Sequence, residues 1–394
     1  MTPMTHLTPI TPFARSLHLS SPNPEPTQSM TAFYNYNCDC NRATPRRGFL
    51  AGLLGGLVAA GAGATAATLA GCTTPTLDQP LAVAPVKGRI DTHHHLFSPA
   101  YLAELAKANL ATPIARGWSV VRTLDDMDKA GVATSILSTT TPQVSFAAAA
   151  NAGRIARESN EWTAKLGQDN PGRFGSFAML PMHNTDAALR ALEYALDVLK
   201  ADGIGLLTSY GDKWLGHPSF APVMDELNRR KAILYTHPTA ANCCENLQTD
   251  VPPTVIEYGT DTTRTITDIV FSGTAARCPD LRFIFSHAGG TLPFLSERLI
   301  KMPVIDPRLA TRVPNGVLHE LKRFYYDTAW SAHPMALASL TRLVDTSQIL
   351  FGSDYPYRTG ADHVKGLREF GFSAADLRAI ERENALRLLP RWNS

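Results

Sequence analysis

The stretch Arg89-Ile90-Asp91-Thr92-His93-His94-His95-Leu96 decides how the rest of the chain is read. The β-branched Ile90 and Thr92 predict a short buried strand. Side chains two apart on a strand share a face, so His93 and His95 point together and His94 points the other way. Two neutral imidazoles on one face, at the C-terminal end of a strand, can grip a divalent metal. Three histidines in a row can equally belong to a polar loop. The choice depends on whether further ligands arrive at the same place.

Downstream the pattern is strand, then helix, repeated. Apolar stretches at 89–96, 133–142, 173–182, 203–210, 232–238, 281–289, 324–330 and 349–356 read as strands. Between them, 185–201, 219–231, 260–277 and 333–345 carry apolar residues at helical spacing. Strands alternating with helices build a parallel sheet covered by helices. Eight units over about 300 residues fit an α/β fold of the (β/α)8 TIM-barrel type, whose site lies at the C-terminal ends of the strands.

That geometry gives a sharp expectation: chemistry-bearing residues should end strands. His237 ends the fifth, His287 the sixth and Asp354 the eighth, joining His93 and His95 of the first. A lone strand-end histidine is usually a hydrogen-bonded structural residue, but five such groups on four strands form a metal site. Three imidazoles and a carboxylate leave a coordination position open for water or a substrate oxygen.

The motifs Asp91-Thr92-His93-His94-His95, Tyr235-Thr236-His237-Pro238, Ser286-His287-Ala288-Gly289-Gly290 and Gly352-Ser353-Asp354-Tyr355-Pro356 resemble the second amidohydrolase family. This is the branch of aminocarboxymuconate semialdehyde and γ-resorcylate decarboxylases. The stretches 207–213 (LTSYGDK) and 258–264 (YGTDTTR) resemble its 6-methylsalicylate decarboxylases. The resemblance implies a metal-dependent decarboxylase of a small aromatic or unsaturated carboxylic acid. It makes His93, His95, His237 and Asp354 ligands of one zinc or manganese ion per subunit, with His287 an acid/base residue beside them. By their chemistry, Asp354 or a water held by His287 can supply the proton. It also makes Arg298 the residue that binds the substrate carboxylate, in some members from a neighbouring subunit, and so implies a homodimer or higher homo-oligomer. From spacing alone Arg298 is a solvated helix charge. The same ligands would serve hydrolysis of a lactone or amide, which stays open as the alternative. The related branch with two metals uses a modified lysine at the end of the fourth strand. Here Thr208-Ser209-Tyr210 stands there and Lys213 lies beyond, which favours one metal.

Other residues near the expected mouth admit bland readings. Trp118, Tyr210 and Trp214 can stack on an aromatic substrate or simply pack. Asp327 touches substrate or stabilises the mouth, His94 is structural, and Asp212 and His217 are candidate pocket residues. Cys243 and Cys244 read as two thiols in the loop after His237.

The chain begins differently. Residues 1–43 are rich in Thr, Pro, Ser and Asn and read as a disordered extension, with Met30 a possible alternative start. Residues 44–72 resemble a twin-arginine export signal, with Arg46-Arg47 before an uncharged Gly/Ala-rich run. It ends in Leu69-Ala70-Gly71-Cys72, which resembles a lipobox, making Cys72 a lipidated first residue. An uncleaved membrane anchor or an ordinary secretory signal is the alternative, but six glycines between Phe49 and Gly71 make a weakly hydrophobic helix. Residues 73–86, with three prolines, then tether a catalytic domain at 87–394. The expectation is an exported enzyme meeting the membrane only through its lipid. A net charge of +2 without a basic cluster points away from nucleic acid. Six cysteines in 394 residues do not make a disulfide scaffold.

Overall fold

The computed structural model describes residues 88–242, 244 and 250–393. The expected extension, export signal, lipidation site Cys72 and tether lie outside the described residues, as does Cys243. Among the described residues no helix is long and apolar enough to cross a membrane.

Eight parallel strands form one sheet in chain order: β1 (Arg89–His95), β2 (Val132–Ser138), β3 (Phe174–Met179), β4 (Gly203–Leu207), β5 (Ile233–His237), β6 (Arg282–Phe285), β7 (Tyr325–Asp327) and β8 (Ile349–Leu350). Beyond β8 the chain closes the ring onto β1. Thr92 N–H donates to the Phe351 carbonyl (2.9 Å), Asp354 N–H to that of His93 (2.8 Å) and His95 N–H to that of Tyr355 (2.8 Å). The fold is the expected TIM barrel.

One principal helix follows each strand: α1 (Val120–Ala130), α2 (Ala149–Asp169), α3 (Thr185–Glu193), α4 (Ala221–Arg229), α5 (Glu257–Phe271), α6 (Leu292–Ile305), α7 (Pro334–Leu343) and α8 (Gly360–Phe370). Their sequences explain their limits. In α1 the Ser119 side chain accepts from Arg122 N–H, Gly131 ends the helix in a left-handed conformation, and Thr123, Met127 and Ala130 make the buried stripe.

The barrel interior is filled by Ile90, Ile136, Phe177, Ile233, Tyr235, Ile284 and Leu350, packed as one cluster. Phe177 and Tyr235 stack at 5.2 Å, and Tyr235 lies edge-on to His93 at 5.3 Å. This apolar plug is the floor beneath the histidines. Fully burying one such side chain stabilises the fold by about 1.5–3 kcal/mol.

Six strands (β2, β3, β4, β6, β7 and β8) stop three or more residues before their apolar runs end, and two expected strand-end residues are therefore displaced. β6 ends at Phe285 and β8 at Leu350. His287 (φ 55°) and Asp354 (φ 62°) stand in turns beyond them, in left-handed backbone that no strand can include. Of the fifth-strand run, only His237 ends its strand as expected. β2 likewise stops at Ser138, so 139–142 belong to the loop above the barrel.

Candidate metal centre

Alternation along β1 brings His93 and His95 onto the interior face, with their Nε2 atoms 3.1 Å apart. His94 faces outward, where its Nδ1 lies 3.0 Å from Asp91 Oδ2 and its ring stacks on Tyr355 at 4.9 Å. His237 arrives from β5, its ring 4.7 Å from that of His95. Asp354 Oδ1 lies 2.8 Å from His95 Nε2 and 3.2 Å from His93 Nε2. One ligand atom from each of His93, His95, His237 and Asp354 falls within 4.8 Å of all the others, and all four residues are buried.

The approach of β8 to β1 depends on Gly352. A side chain there would meet the Cβ of His93 at 2.8 Å and that of Asp327 at 3.1 Å. Asp91 then pins the turn: its Oδ1 accepts from the N–H groups of His93 (3.0 Å) and Ser353 (3.1 Å), and its Oδ2 from the Ser353 hydroxyl at 2.5 Å.

The donor set fits a cation. Each imidazole gives its Nδ1–H to an acceptor: His93 to Asp327 Oδ2 (2.8 Å), His95 to the Ser138 carbonyl (3.2 Å), His237 to the Pro238 carbonyl (2.8 Å). Those bonds fix the tautomer and leave three Nε2 lone pairs facing one carboxylate oxygen. Asp354 Oδ1 is buried and makes no hydrogen bond, and Thr140 Oγ1 lies 3.3 Å from His237 Nε2. Four lone pairs converging among buried side chains repel one another unless positive charge sits between them. Ligands about 2.0–2.1 Å from a tetrahedral ion stand roughly 3.3 Å apart, close to the 2.8–3.2 Å that separate the atoms of His93, His95 and Asp354.

The titration behaviour states the same demand. Burial opposes the charged form of His93, but the Asp327 and Asp354 carboxylates outweigh it and hold its pKa up at about 10. Burial, reinforced by the neighbouring imidazoles of His95 and His93, pushes His237 well below the usual histidine value. Burial alone would raise Asp354, but His93 and His287 together carry it well below the usual carboxylate range. A proton on His93 and a bound cation are alternatives, because both occupy the Nε2 lone pair.

His287 stands beside this cluster. Its Nε2 is 3.6 Å from Asp354 Oδ2, too long for a hydrogen bond, and is buried without a hydrogen-bond partner. It follows β6 in a turn of four consecutive left-handed residues, His287 to Gly290. Asp327, fully buried at the end of β7, accepts from His287 N–H at 2.9 Å and so ties that turn to His93. Two phenols edge the mouth: Tyr258 lies 6.0 Å from the His237 ring and Tyr357 lies 5.9 Å from that of His95.

The chain matches the amidohydrolase family over residues 90–391. It is also 37% identical over 327 residues to decarboxylase yanB of Aspergillus niger, covering 77% of this chain and 88% of that one. The chain belongs to the amidohydrolase family. Another relative is the 6-methylsalicylic acid decarboxylase acuB of Aspergillus aculeatus, 36% identical over 320 residues, covering 77% of this amidohydrolase and 96% of the relative. Among solved structures, a dihydroxybenzoic acid decarboxylase from Polaromonas, with bound manganese and the inhibitor 2-nitroresorcinol, superposes with a TM-score of 0.70. It is 22% identical and covers 78% of this chain and 98% of that one, a likeness of fold.

The other expected residues of this amidohydrolase divide. Arg298 is exposed on α6 and makes no ion pair or hydrogen bond with the described residues. Lys213 and Asp212 are exposed in the turn after β4, away from the cluster. Trp118 Nε1–H donates to the His95 carbonyl (3.1 Å), and the Tyr210 hydroxyl accepts from Leu207 N–H (3.0 Å), so both brace the site. His217 caps a short turn through Ser219. Tyr258 and Tyr357 were not legible from spacing. The one signal for Tyr258 is its place at the head of the 258–264 stretch.

Proposed function

We propose that this amidohydrolase is a metal-dependent, non-oxidative decarboxylase of a hydroxybenzoate-type acid, of the 6-methylsalicylate kind, releasing CO2. The observation that carries the reading is the convergence of three imidazole lone pairs and Asp354 beside His287, in a chain 36–37% identical to decarboxylases. One divalent ion, zinc or manganese, is held by His93, His95, His237 and Asp354. When bound it supplies positive charge that orients the oxygens of the acid and draws electron density from them.

The chain's own groups do the rest. His287, protonated at Nε2, delivers its proton to the ring carbon that bears the carboxylate. The bond from that carbon to the carboxyl carbon then breaks, its electrons return to the ring, CO2 leaves and aromaticity is restored. His287 is left neutral and is reprotonated before the next turnover. Before the transfer, Asp354, 3.6 Å away, stabilises the imidazolium.

Arg298 is proposed as the carboxylate-binding group supplied across a contact between two copies of the chain. In support, it is exposed on a helix whose Phe294, Val304 and Ile305 are 86, 84 and 71% exposed. Export with a lipid on Cys72 is proposed from the sequence signal alone, and lipid found on a Cys72→Ala protein would refute that anchor.

The test is to load purified protein with zinc or manganese and incubate it with a panel of hydroxybenzoates and simple lactones. CO2 release from a hydroxybenzoate is the expected result. Ring opening of a lactone without CO2 release would replace this reading with hydrolysis.

A further inference from the structure

Two sequence stretches that the metal cluster does not absorb, 207–213 and 258–264, lie far apart in the chain but meet in the fold. They meet at Asp261, fully buried in the second turn of α5. Its Oδ2 accepts from the hydroxyls of Thr208 and Ser209 (the latter at 3.0 Å), and its Oδ1 accepts from Trp214 Nε1–H at 2.7 Å. One carboxylate thereby fastens α5 to the loop that follows β4. Thr208 in turn accepts from Thr239 N–H (3.2 Å), two residues after His237.

The same helix end is fastened on its other side. Thr291 N–H reaches the Gly259 carbonyl at 3.3 Å and Thr263 Oγ1 at 3.0 Å, and Thr263 Oγ1 bonds the Gly259 carbonyl at 2.8 Å. The contact is close enough that any side chain at Gly290 would collide with the Gly259 carbonyl. Gly290 ends the turn that begins with His287, so the start of α5 is held against that turn and, through Thr208 and Thr239, against the loop that follows His237.

The residue this double fastening holds is Tyr258. Its ring meets that of His237 at 6.0 Å and 80°. Its hydroxyl makes no hydrogen bond with the described residues, although the side chain is largely enclosed. A phenol, whose ordinary pKa is about 10, is protonated at neutral pH, so its hydroxyl acts as a donor. A rigidly mounted, unpartnered donor beside a cluster built to gather anionic oxygens recognises another such oxygen.

We propose that Tyr258 is a substrate-contacting residue whose hydroxyl donates to an anionic oxygen of the bound hydroxybenzoate, with Asp261 as the positioning residue that holds it there. The inference rests on the decarboxylase reading for the class of acid, and it adds a specificity element outside the metal cluster. Acids lacking an oxygen at that position leave the phenol unpaired and are discriminated against.

The test uses metal-loaded protein and salicylate as the probe, read by calorimetric Kd, by KM and kcat, and by metal content. Tyr258→Phe keeps the ring and removes only the donor. It raises Kd and KM about ten-fold, the scale of a hydrogen bond to a charged group, and leaves metal content unchanged. Asp261→Asn raises the same constants in the native background but adds nothing on top of Tyr258→Phe, because it acts through that side chain. Should Asp261→Asn not fold, Trp214→Phe, which removes one of the three bonds, takes its place in the same cycle. An unchanged Kd in Tyr258→Phe overturns the contact, and full additivity in the double variant overturns the positioning role. If the native protein binds salicylate but releases no CO2 from any hydroxybenzoate, the decarboxylase reading falls while Tyr258 is still judged by Kd. If it binds no hydroxybenzoate at all, both fall.

Discussion

Asp327 joins His93 to the turn of His287: one carboxylate oxygen lies 2.8 Å from His93 Nδ1, and the other accepts from His287 N–H at 2.9 Å and Ala329 N–H at 3.0 Å. A single buried side chain therefore sets the tautomer of a proposed ligand and the height of the proposed proton donor. Asp327→Asn keeps the shape but offers a weaker, neutral acceptor to His93. We expect metal affinity to fall about 10–100-fold, the usual cost of losing such support behind a ligand. Competition with a graded chelator measures this, and an unchanged affinity would leave Asp327 a purely structural residue.

His237 contributes the one imidazole that comes from neither β1 nor the loops beyond the strands. Its replacement by Ala removes one of the four donors proposed to hold the ion and leaves a gap where its imidazole stood, so the ion is bound more weakly. Elemental analysis after dialysis should find most of the metal gone from His237→Ala while circular dichroism stays native. Stoichiometric metal in that variant would contradict the assignment.

Much of this site was legible because the last three residues of β1 alternate, although the strand is irregular between Asp91 and His94. From His93-His94-His95 alone, the interior pair and the outward residue follow, and the fold places them so. His237 was legible for the same reason, as the last residue of an apolar run. His287 and Asp354 were found as residues but misplaced as strand ends. The glycines of His287-Ala288-Gly289-Gly290 are the sign of a turn, and left-handed backbone at both residues stops the strands short. The double role of Asp327 and the fastening of Tyr258 were not legible. Both depend on contacts between loops whose paths alternating hydropathy does not describe. Arg298 reads as a helix charge in the sequence and is exposed in the fold, so its proposed role depends on a second copy.

That role predicts a particular kinetic signature. Arg298→Ala should raise KM about ten-fold or more while changing kcat little, since it binds the carboxylate before the chemical step. Sedimentation of the native protein should show a dimer or larger assembly. An unchanged KM returns Arg298 to the solvated charge that its spacing suggests.

Away from the mouth, Glu226 on α4 gathers Arg229 (2.6 and 2.7 Å) and Arg230 (2.6 Å). The Arg229 hydrogen bond, then that of Arg230, pulls its pKa from 4.5 down to about 2, against the effect of burial. A pKa lowered by folding stabilises the protein above the unfolded value and ceases to do so as pH falls through the folded one. Glu226→Gln should therefore cost less than about 1 kcal/mol at pH 7, because the pair is partly in water. The difference between the two proteins should shrink as pH drops below 4.5 toward 2. Loss of metal in acid affects both proteins and cancels from that difference. A gap in urea-unfolding free energy that widens on acidification would show the sign to be wrong.

The proton donor itself can be tested without disturbing the metal. His287 lies outside the four-residue cluster, yet its Nε2 is buried, unbonded and 3.6 Å from Asp354. Its backbone has φ 55°, which a bulky or β-branched replacement would strain, whereas asparagine visits this region readily. His287→Asn therefore keeps the turn and the N–H bond to Asp327 but cannot deliver a proton at neutral pH. Metal content should match the native protein, and kcat should fall by about 10²–10⁴, the range for a positioned acid or base. Salicylate should still bind, with a Kd within a few-fold of native, because the imidazole is assigned to the chemical step. A His287→Asn protein that turns over at the native rate would remove His287 from the reaction and leave Asp354 as the proton donor. One that loses its metal would place His287 among the ligands instead.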